Sequence, residues 1–341
     1  MNQVYKYLTA FSLLAAIAAG CSKEPVSAPV SHTLAFGVSM ADMDGTKADA
    51  EDPTGLFTAT DLRSLEKFKI LNGYDNDTQI ITSATDVYKI AENLWQLDEN
   101  PKAWIIGHTM TFWASANLPS WVESASSTAK GEATMKLKSD GIPTTAATQG
   151  DPLIGYFSSD TGDNGKATIR FFHPMTAVRF TTGELGEPQK VASITSVTLV
   201  GVYKSAETDI TVGKSAGKDS LIFSWKNFGE KISVSGDFEG TGAEGKSAQP
   251  FILIPQDLDT NEITIKVNVN LQVGGTQVMS AVMSSGKWEA GYLYTYELDY
   301  VPISSIDGTL TVTLKDWTDL MSEDGDKYFD VTFGNRPDDK S

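Results

Sequence analysis

The sequence predicts an all-β protein built as two tandem antiparallel β-sandwich domains. Three observations point there. Apolar and polar residues alternate at period two through most of the chain, the pattern of strands with one buried face. Turn dipeptides punctuate these runs: Asn72-Gly73, Asn164-Gly165, Gly274-Gly275 and Asp307-Gly308. Stripes at helical spacing are scarce, and only Asp61 to Lys67 reads as a short helix.

The N-terminus comes first. Residues 1–20 carry one charge, Lys6, followed by an apolar run from Leu8 to Ala19 that is broken only by Thr9 and Ser12. The run is too short to span a bilayer, and its layout is that of a secretory signal peptide. Ala18-Ala19-Gly20 stands directly before Cys21, an arrangement similar to a bacterial lipobox, with Ala18 where Leu is more usual. Cleavage before Cys21 makes it the site of lipidation, and several acyl chains together form a stable anchor, each buried CH₂ contributing roughly 0.8 kcal/mol. Cys21 is the only cysteine, so a lipidated chain has no thiol left for disulfides or thiolate chemistry. Residues 21–31, rich in Ser, Pro, Ala and Val without a period, read as a flexible tether.

The alternating runs follow. Leu34, Phe36, Val38 and Met40 alternate with Ala35, Gly37 and Ser39, which places the first set in a core and the second outside. Ile263, Ile265, Val267, Val269, Leu271 and Val273 form the longest such face. Tyr292, Tyr294, Tyr296, Leu298 and Tyr300 form another, and Leu310, Val312 and Leu314 a third. The polar, Gly-containing run from Ser158 to Gly165 is the best boundary, giving a first domain at 32–160 and a second at 166–318. Residues 319–341 form an acidic tail with one more alternating patch, Phe329, Val331 and Phe333.

Composition excludes several functions. There are 44 Asp+Glu against 27 Lys+Arg, a formal net charge of −17; loss of residues 1–20 removes one Lys and no acid, giving −18. Such a surface repels nucleic acid, which is therefore not a partner. His32, His108 and His173 stand far apart without a second histidine at ligand spacing, so no metal site is expected; His173, between Phe172 and Pro174, reads as a packed, hydrogen-bonded ring. No G-x-S-x-G elbow, P-loop or dinucleotide fingerprint is present, and no cofactor is expected. Asp42-Met43-Asp44-Gly45 and Asp160 to Gly165 both lack the later ligands of a calcium loop and read as solvated turns. Trp95, Trp104, Trp113, Trp121, Trp225, Trp288 and Trp317 are spread one by one along the strands, which suits core positions better than a sugar-binding row.

Six segments in order carry a resemblance. They are Thr109-Met110-Thr111-Phe112-Trp113-Ala114-Ser115-Ala116-Asn117-Leu118-Pro119, Gly150-Asp151-Pro152-Leu153-Ile154-Gly155-Tyr156 and Phe171-Phe172-His173-Pro174-Met175-Thr176-Ala177-Val178-Arg179-Phe180, then Phe251-Ile252-Leu253-Ile254-Pro255-Gln256, Trp288 to Leu298, and Val312-Thr313-Leu314-Lys315-Asp316-Trp317. Together they resemble the fimbrillin (FimA/Mfa-like) family of Bacteroidia, lipoprotein-derived fimbrial subunits, over nearly the whole mature chain. The resemblance implies two transthyretin-like β-sandwich domains and a non-enzymatic role as a structural or accessory subunit of a surface fimbria that contributes to adhesion. It implies other subunits of the same family as partners, and the outer membrane reached through the lipid on Cys21.

The resemblance also implies assembly by strand exchange. In the family a trypsin-like protease removes the lipidated N-terminal strand, and a strand of another subunit fills the groove by β-augmentation. Leu34, Phe36, Val38 and Met40 mark the removable strand. The family commonly has Arg at the cleavage point, whereas the matching place here reads Gly45-Thr46-Lys47-Ala48, so Lys47 is the candidate site. Uncut, the chain would stay anchored as an accessory or base subunit. Phe329, Val331 and Phe333 are a candidate donor strand and equally an edge strand of the second domain. The competing reading is an outer-membrane lipoprotein that binds glycans without catalysis, which an exposed row of Trp or Tyr would favour.

Overall fold

In the computed structural model the described residues are 31–41, 59–97, 102–160, 165–182, 191–215, 218–239, 245–271, 275–302, 308–319 and 331–333. They are almost entirely strand, as the period-two alternation predicts. The first strands are β1 (Ser31–Thr33), β2 (Ala35–Met40), β3 (Lys67–Asp75), β4 (Thr78–Ile81), β5 (Thr85–Ala91), β6 (Leu94–Leu97), β7 (Ala103–Ile105) and β8 (Met110–Ala116). They are followed by β9 (Val122–Ala129), β10 (Glu132–Leu137), β11 (Leu153–Ser159) and β12 (Lys166–Phe172). Next come β13 (Thr176–Thr182), β14 (Val191–Tyr203), β15 (Glu207–Ser215), β16 (Lys218–Lys226), β17 (Lys231–Glu239), β18 (Lys246–Ser247) and β19 (Phe251–Leu253). The last are β20 (Gln256–Asp257), β21 (Ile263–Leu271), β22 (Gly275–Met283), β23 (Lys287–Trp288), β24 (Tyr292–Pro302), β25 (Gly308–Asp319) and β26 (Val331–Phe333). The expected helix at Asp61 to Lys67 is found as one short turn of helix, α1 (Ala59–Ser64), before β3 begins.

Seven strands close into a ring in the order β3-β5-β6-β2-β12-β11-β8, with β8 pairing back onto β3 and β4 extending alongside β3. The inward side chains form one core: Phe36, Val38 and Met40 from β2, Phe68 and Ile70 from β3, Trp95 from β6, Phe112 from β8, Ile169 and Phe171 from β12. Every residue of β8 is buried, because its two faces look into different cores. Phe112 and Ala114 point into the ring, while Trp113 joins the second core outside it.

That second core lies under a large sheet ordered β22-β21-β14-β17-β18-β13-β24-β25-β26, with β19 also paired to β13. The face predicted from Ile263 to Val269 is real: Ile263, Ile265, Val267 and Val269 are all buried. A four-stranded sheet, β16-β15-β10-β9, completes the core with Met135, Leu137, Ile210 and Leu221.

Three expectations need correction. The pairing is not purely antiparallel: β2 runs parallel to β12 and β13 parallel to β24. Each pair joins strands far apart in sequence, which leaves room for the crossover that parallel neighbours require. The expected boundary at 160–166 falls inside the β11–β12 hairpin, whose strands pair Ile154 with Phe172 and Tyr156 with Arg170. Strands of the first core therefore run to Phe172, and β10 pairs across to β15, so the described residues pack as one compact unit. Finally, Ala35 and Gly37 are buried rather than outward in water. The Lys166 stem and the Thr168 hydroxyl lie over Gly37 so closely that a Cβ there would sit 2.5 Å from Lys166 Cε.

Candidate functional site

The strand marked as removable is held unevenly. Along one edge β2 makes an unbroken parallel ladder with β12, from Ala35 opposite Lys166 to Met40 opposite Phe171. Along the other edge a single pairing joins it to β6, Phe36 opposite Trp95. Just past that point the Val38 N–H donates to the Asn93 side-chain oxygen at 3.0 Å, and Asn93 adopts φ 49, a left-handed conformation that Asn tolerates. A side chain thus caps the edge where a neighbouring strand would otherwise continue.

The ends of the segment are tied by main-chain bonds. Leu34 N–H donates to Lys102 C=O at 2.8 Å and Ala35 N–H to Gly165 C=O at 3.0 Å. Gly165 has φ +86, and a Cβ on it would lie 2.6 Å from His32 Cβ, so only glycine lets the chain pass this close. β1, just before Leu34, pairs with β7 and carries His32 opposite Trp104. At the other end Ala41 N–H donates to Phe171 C=O, and Arg170 Nη2 donates to Ala41 C=O at 2.6 Å.

Leu34, Phe36, Val38 and Met40 are all within 3% of full burial. Phe36 meets Phe68 and Phe112 edge-on, with ring centroids 6.4 Å and 5.2 Å away. At about 1.5–3 kcal/mol each, burial of the four side chains amounts to roughly 6–10 kcal/mol gross, much of it offset by the entropy of ordering the segment.

Cys21, Lys47 and Phe329 lie outside the described residues, as does Asp42-Met43-Asp44-Gly45 and the middle of the Asp160 to Gly165 turn. Val331 and Phe333 lie on β26, antiparallel to β25, opposite Leu314 and Val312. In this chain they therefore occupy the edge position that was one of the two roles expected for them. Trp95, Trp104, Trp113, Trp121 and Trp288 are buried, and Trp225 is half-buried with its indole N–H donating to Pro174 C=O at 3.1 Å. Five of the seven tryptophans are thus core residues, as their scatter along the strands predicted.

The histidines stay apart. Among the described residues no cluster of three or more His, Cys, Asp or Glu could hold a metal ion. His173 is packed and hydrogen-bonded as expected, its Nδ1 lying 2.6 Å from Asp151 Oδ2 with both side chains buried. The sequence offers no signal for this partner, because nothing in the spacing marks Asp151 out among 44 acids. His108 Nδ1 lies 2.6 Å from Asp75 Oδ1 in a half-exposed loop. Lys67 and Lys69 both reach Asp86, and their hydrogen bonds hold its carboxyl below the usual range.

A one-sided strand over an apolar ring is a feature shared by many β-proteins; comparison with known families separates them. The model of a family described as fimbrillin-like matches residues 41–317. The chain belongs to the fimbrillin-like family. No curated protein matches it. Among solved structures, this fimbrillin-like chain is similar to a fimbrial protein from Bacteroides vulgatus (13% identity, TM-score 0.47, 82% of this chain and 97% of that one). It is similar also to a fimbrial assembly protein from Parabacteroides distasonis (15% identity, TM-score 0.39, 84% and 96%). A third is the tip fimbrial protein Mfa3 from Porphyromonas gingivalis (8% identity, TM-score 0.38, 83% and 99%). As a fimbrillin-like protein the chain is a fimbrial subunit of the cell surface, in a family of structural rather than enzymatic proteins.

Proposed function

We propose that this fimbrial subunit is exported as a lipoprotein, anchored in the outer membrane through Cys21, and assembled with other subunits of its family by strand exchange. The observation that carries the reading is the uneven hold on β2. One edge of the strand has a full ladder and the other has one pairing plus a side-chain cap. Removal of Leu34 to Met40 would open the ring between β6 and β12 and expose an apolar slot flanked by strand edges. Such a slot invites another strand, with main-chain bonds giving affinity and alternate side chains filling the pockets.

The donor in this reading is the patch Phe329, Val331 and Phe333, which carries the same apolar alternation as Phe36, Val38 and Met40. Among the described residues three of this patch, Val331 to Phe333, pair with β25, a short contact for a strand of 12 residues that a modest cost releases. Cleavage after Lys47 by a Lys-specific protease separates β2 from the rest of the chain and makes exchange possible.

Cutting the chain after Lys47 in solution should give multimers that resist SDS, and deletion of residues 325–341 should abolish them. If the cut chain stays monomeric at high concentration it is no stalk subunit, and an anchor or tip role replaces this one.

A further inference from the structure

We propose that β16 is an interaction edge for a second copy of this chain, pairing antiparallel with its own counterpart about a two-fold axis at Ile222. The inference is independent of strand exchange, which uses other strands.

β16 ends the four-stranded sheet: all nine of its residues pair with β15, from Lys218 opposite Ser215 to Lys226 opposite Glu207, and no strand follows among the described residues. The ladder is regular, without bulge or proline; Arg170 caps the edge at Asp219, and from Ser220 to Ser224 the edge carries none of the devices that usually blunt one. Its lysines stand only at the two ends, Lys218 and Lys226.

The direction of the main chain is fixed by one bond. Asp219 C=O accepts from Arg170 Nη1 at 3.1 Å, away from β15. In an antiparallel pair alternate residues direct both main-chain groups to the same side. Leu221, Phe223 and Trp225 therefore direct their N–H and C=O outward with Asp219, while Ser220, Ile222 and Ser224 bond to β15.

The outward edge is complementary to itself. Ser220-Leu221-Ile222-Phe223-Ser224 reads nearly the same in both directions about its centre. Antiparallel pairing about Ile222 sets Leu221 opposite Phe223 of the second copy and Asp219 opposite Trp225. These are the residues with outward main-chain groups. Leu221 and Phe223 exchange two hydrogen bonds in each such pair; Asp219 C=O stays with Arg170, so each pair of Asp219 with Trp225 adds one, from Asp219 N–H to Trp225 C=O. Ile222 then faces itself at a non-hydrogen-bonded position, where Cα atoms approach to about 4.5 Å and side chains pack most closely.

The side chains agree on both faces. On the solvent face Ile222 is 54% exposed and rests over Gly213, where a Cβ would come within 2.8 Å of its Cδ1. On the core face Leu221 is buried, but Phe223 and Trp225 are only partly covered, because the sheet stops beside them. A second β16 supplies Leu221 to cover Phe223, so the core row continues across the axis. The one unfavourable contact is Lys218 opposite Lys226 of the second copy. Lys226 is already bridged to Asp209 at 2.5 Å and lies 3.8 Å from Glu207. With a net charge of −17 on each copy, added salt should tighten the pair.

The test uses the full, uncut chain with Cys21→Ser, so that an introduced cysteine is the only thiol. Ile222→Cys should form a disulfide-linked dimer under mild oxidation, because a pair this close lies inside the roughly 4.4–6.8 Å Cα range that a disulfide spans. Ser126→Cys, on β9 at the opposite side of the same sheet, should stay monomeric. In sedimentation velocity the Cys21→Ser chain should show a dimer, and Ile222→Asp should weaken it by at least about tenfold. Ile222 is exposed, so that variant keeps the fold, which its circular dichroism checks. A strictly monomeric Cys21→Ser chain, or equal cross-linking at Ser126→Cys, overturns the proposal, as does a dimer that Ile222→Asp leaves unchanged. Binding of a different fimbrial subunit to this edge in place of a second copy would also overturn it.

Discussion

Replacing Phe36 with alanine removes the largest side chain that β2 sends into the ring. Phe36 is fully buried and meets Phe68 and Phe112 edge-on, so its neighbours are held by β3 and β8 and cannot collapse into the space. A Phe→Ala change in such a site costs about 3–5 kcal/mol, transfer and cavity together. That is a large share of the roughly 5–15 kcal/mol that holds a domain folded. Urea unfolding followed by tryptophan fluorescence measures it directly, since Trp95 stands opposite Phe36 and both lie in the same core. Ile90→Ala is the control: Ile90 is 54% exposed on β5, and its loss should stay within about 0.5 kcal/mol. After cleavage at Lys47 the Phe36→Ala chain should also lose its N-terminal fragment faster than the wild type. A loss of stability below about 1 kcal/mol would refute the assignment of β2 as a strand built into this core.

Other outcomes follow from the same structure. His173→Ala leaves the Asp151 carboxylate buried without its ring partner and should cost about 3 kcal/mol; in a double-mutant cycle, adding Asp151→Ala should cost much less than Asp151→Ala does alone. Burial pushes the Tyr294 and Tyr296 hydroxyls, and to a lesser degree Tyr156, above their ordinary value of 10.0. Their folded values exceed the unfolded one, so their contribution is whole below pH 10 and is lost as pH rises beyond it. Unfolding free energy should fall by up to about 1.4 kcal/mol per pH unit for each such tyrosine, and Tyr296→Phe should make the decline shallower. Cys21→Ser should keep the chain out of the detergent phase in a partition assay, and wild-type partitioning of that variant would end the lipoprotein reading.

The alternation of Ile263 to Val269 and of Phe36, Val38 and Met40 was legible because a strand with one buried face must repeat every second residue. The scatter of the tryptophans, one by one along the strands, likewise set most of them in cores. Which strand lies beside which was not legible. β2 meets β12 across some 130 residues, and β10 meets β15 across some 70, and period two says nothing about partners at that range. The run from Ser158 to Gly165 was misread as a boundary because Gly, Asn, Asp and Ser serve a hairpin turn and an interdomain linker equally well. Gly37 was placed outside correctly by parity, yet the Lys166 stem covers it, and a long aliphatic stem on a neighbouring strand leaves no trace in the sequence near Gly37.

The central claim is that β2 holds a place another strand can take. Native mass spectrometry of the chain cut after Lys47 tests it most directly. A synthetic peptide spanning residues 327–336, with Phe329, Val331 and Phe333, is added in excess. The N-terminal fragment should leave and one peptide be taken up, with Phe329→Asp in the peptide abolishing the exchange. A cut chain that stays folded, keeps its fragment and binds no peptide would contradict it.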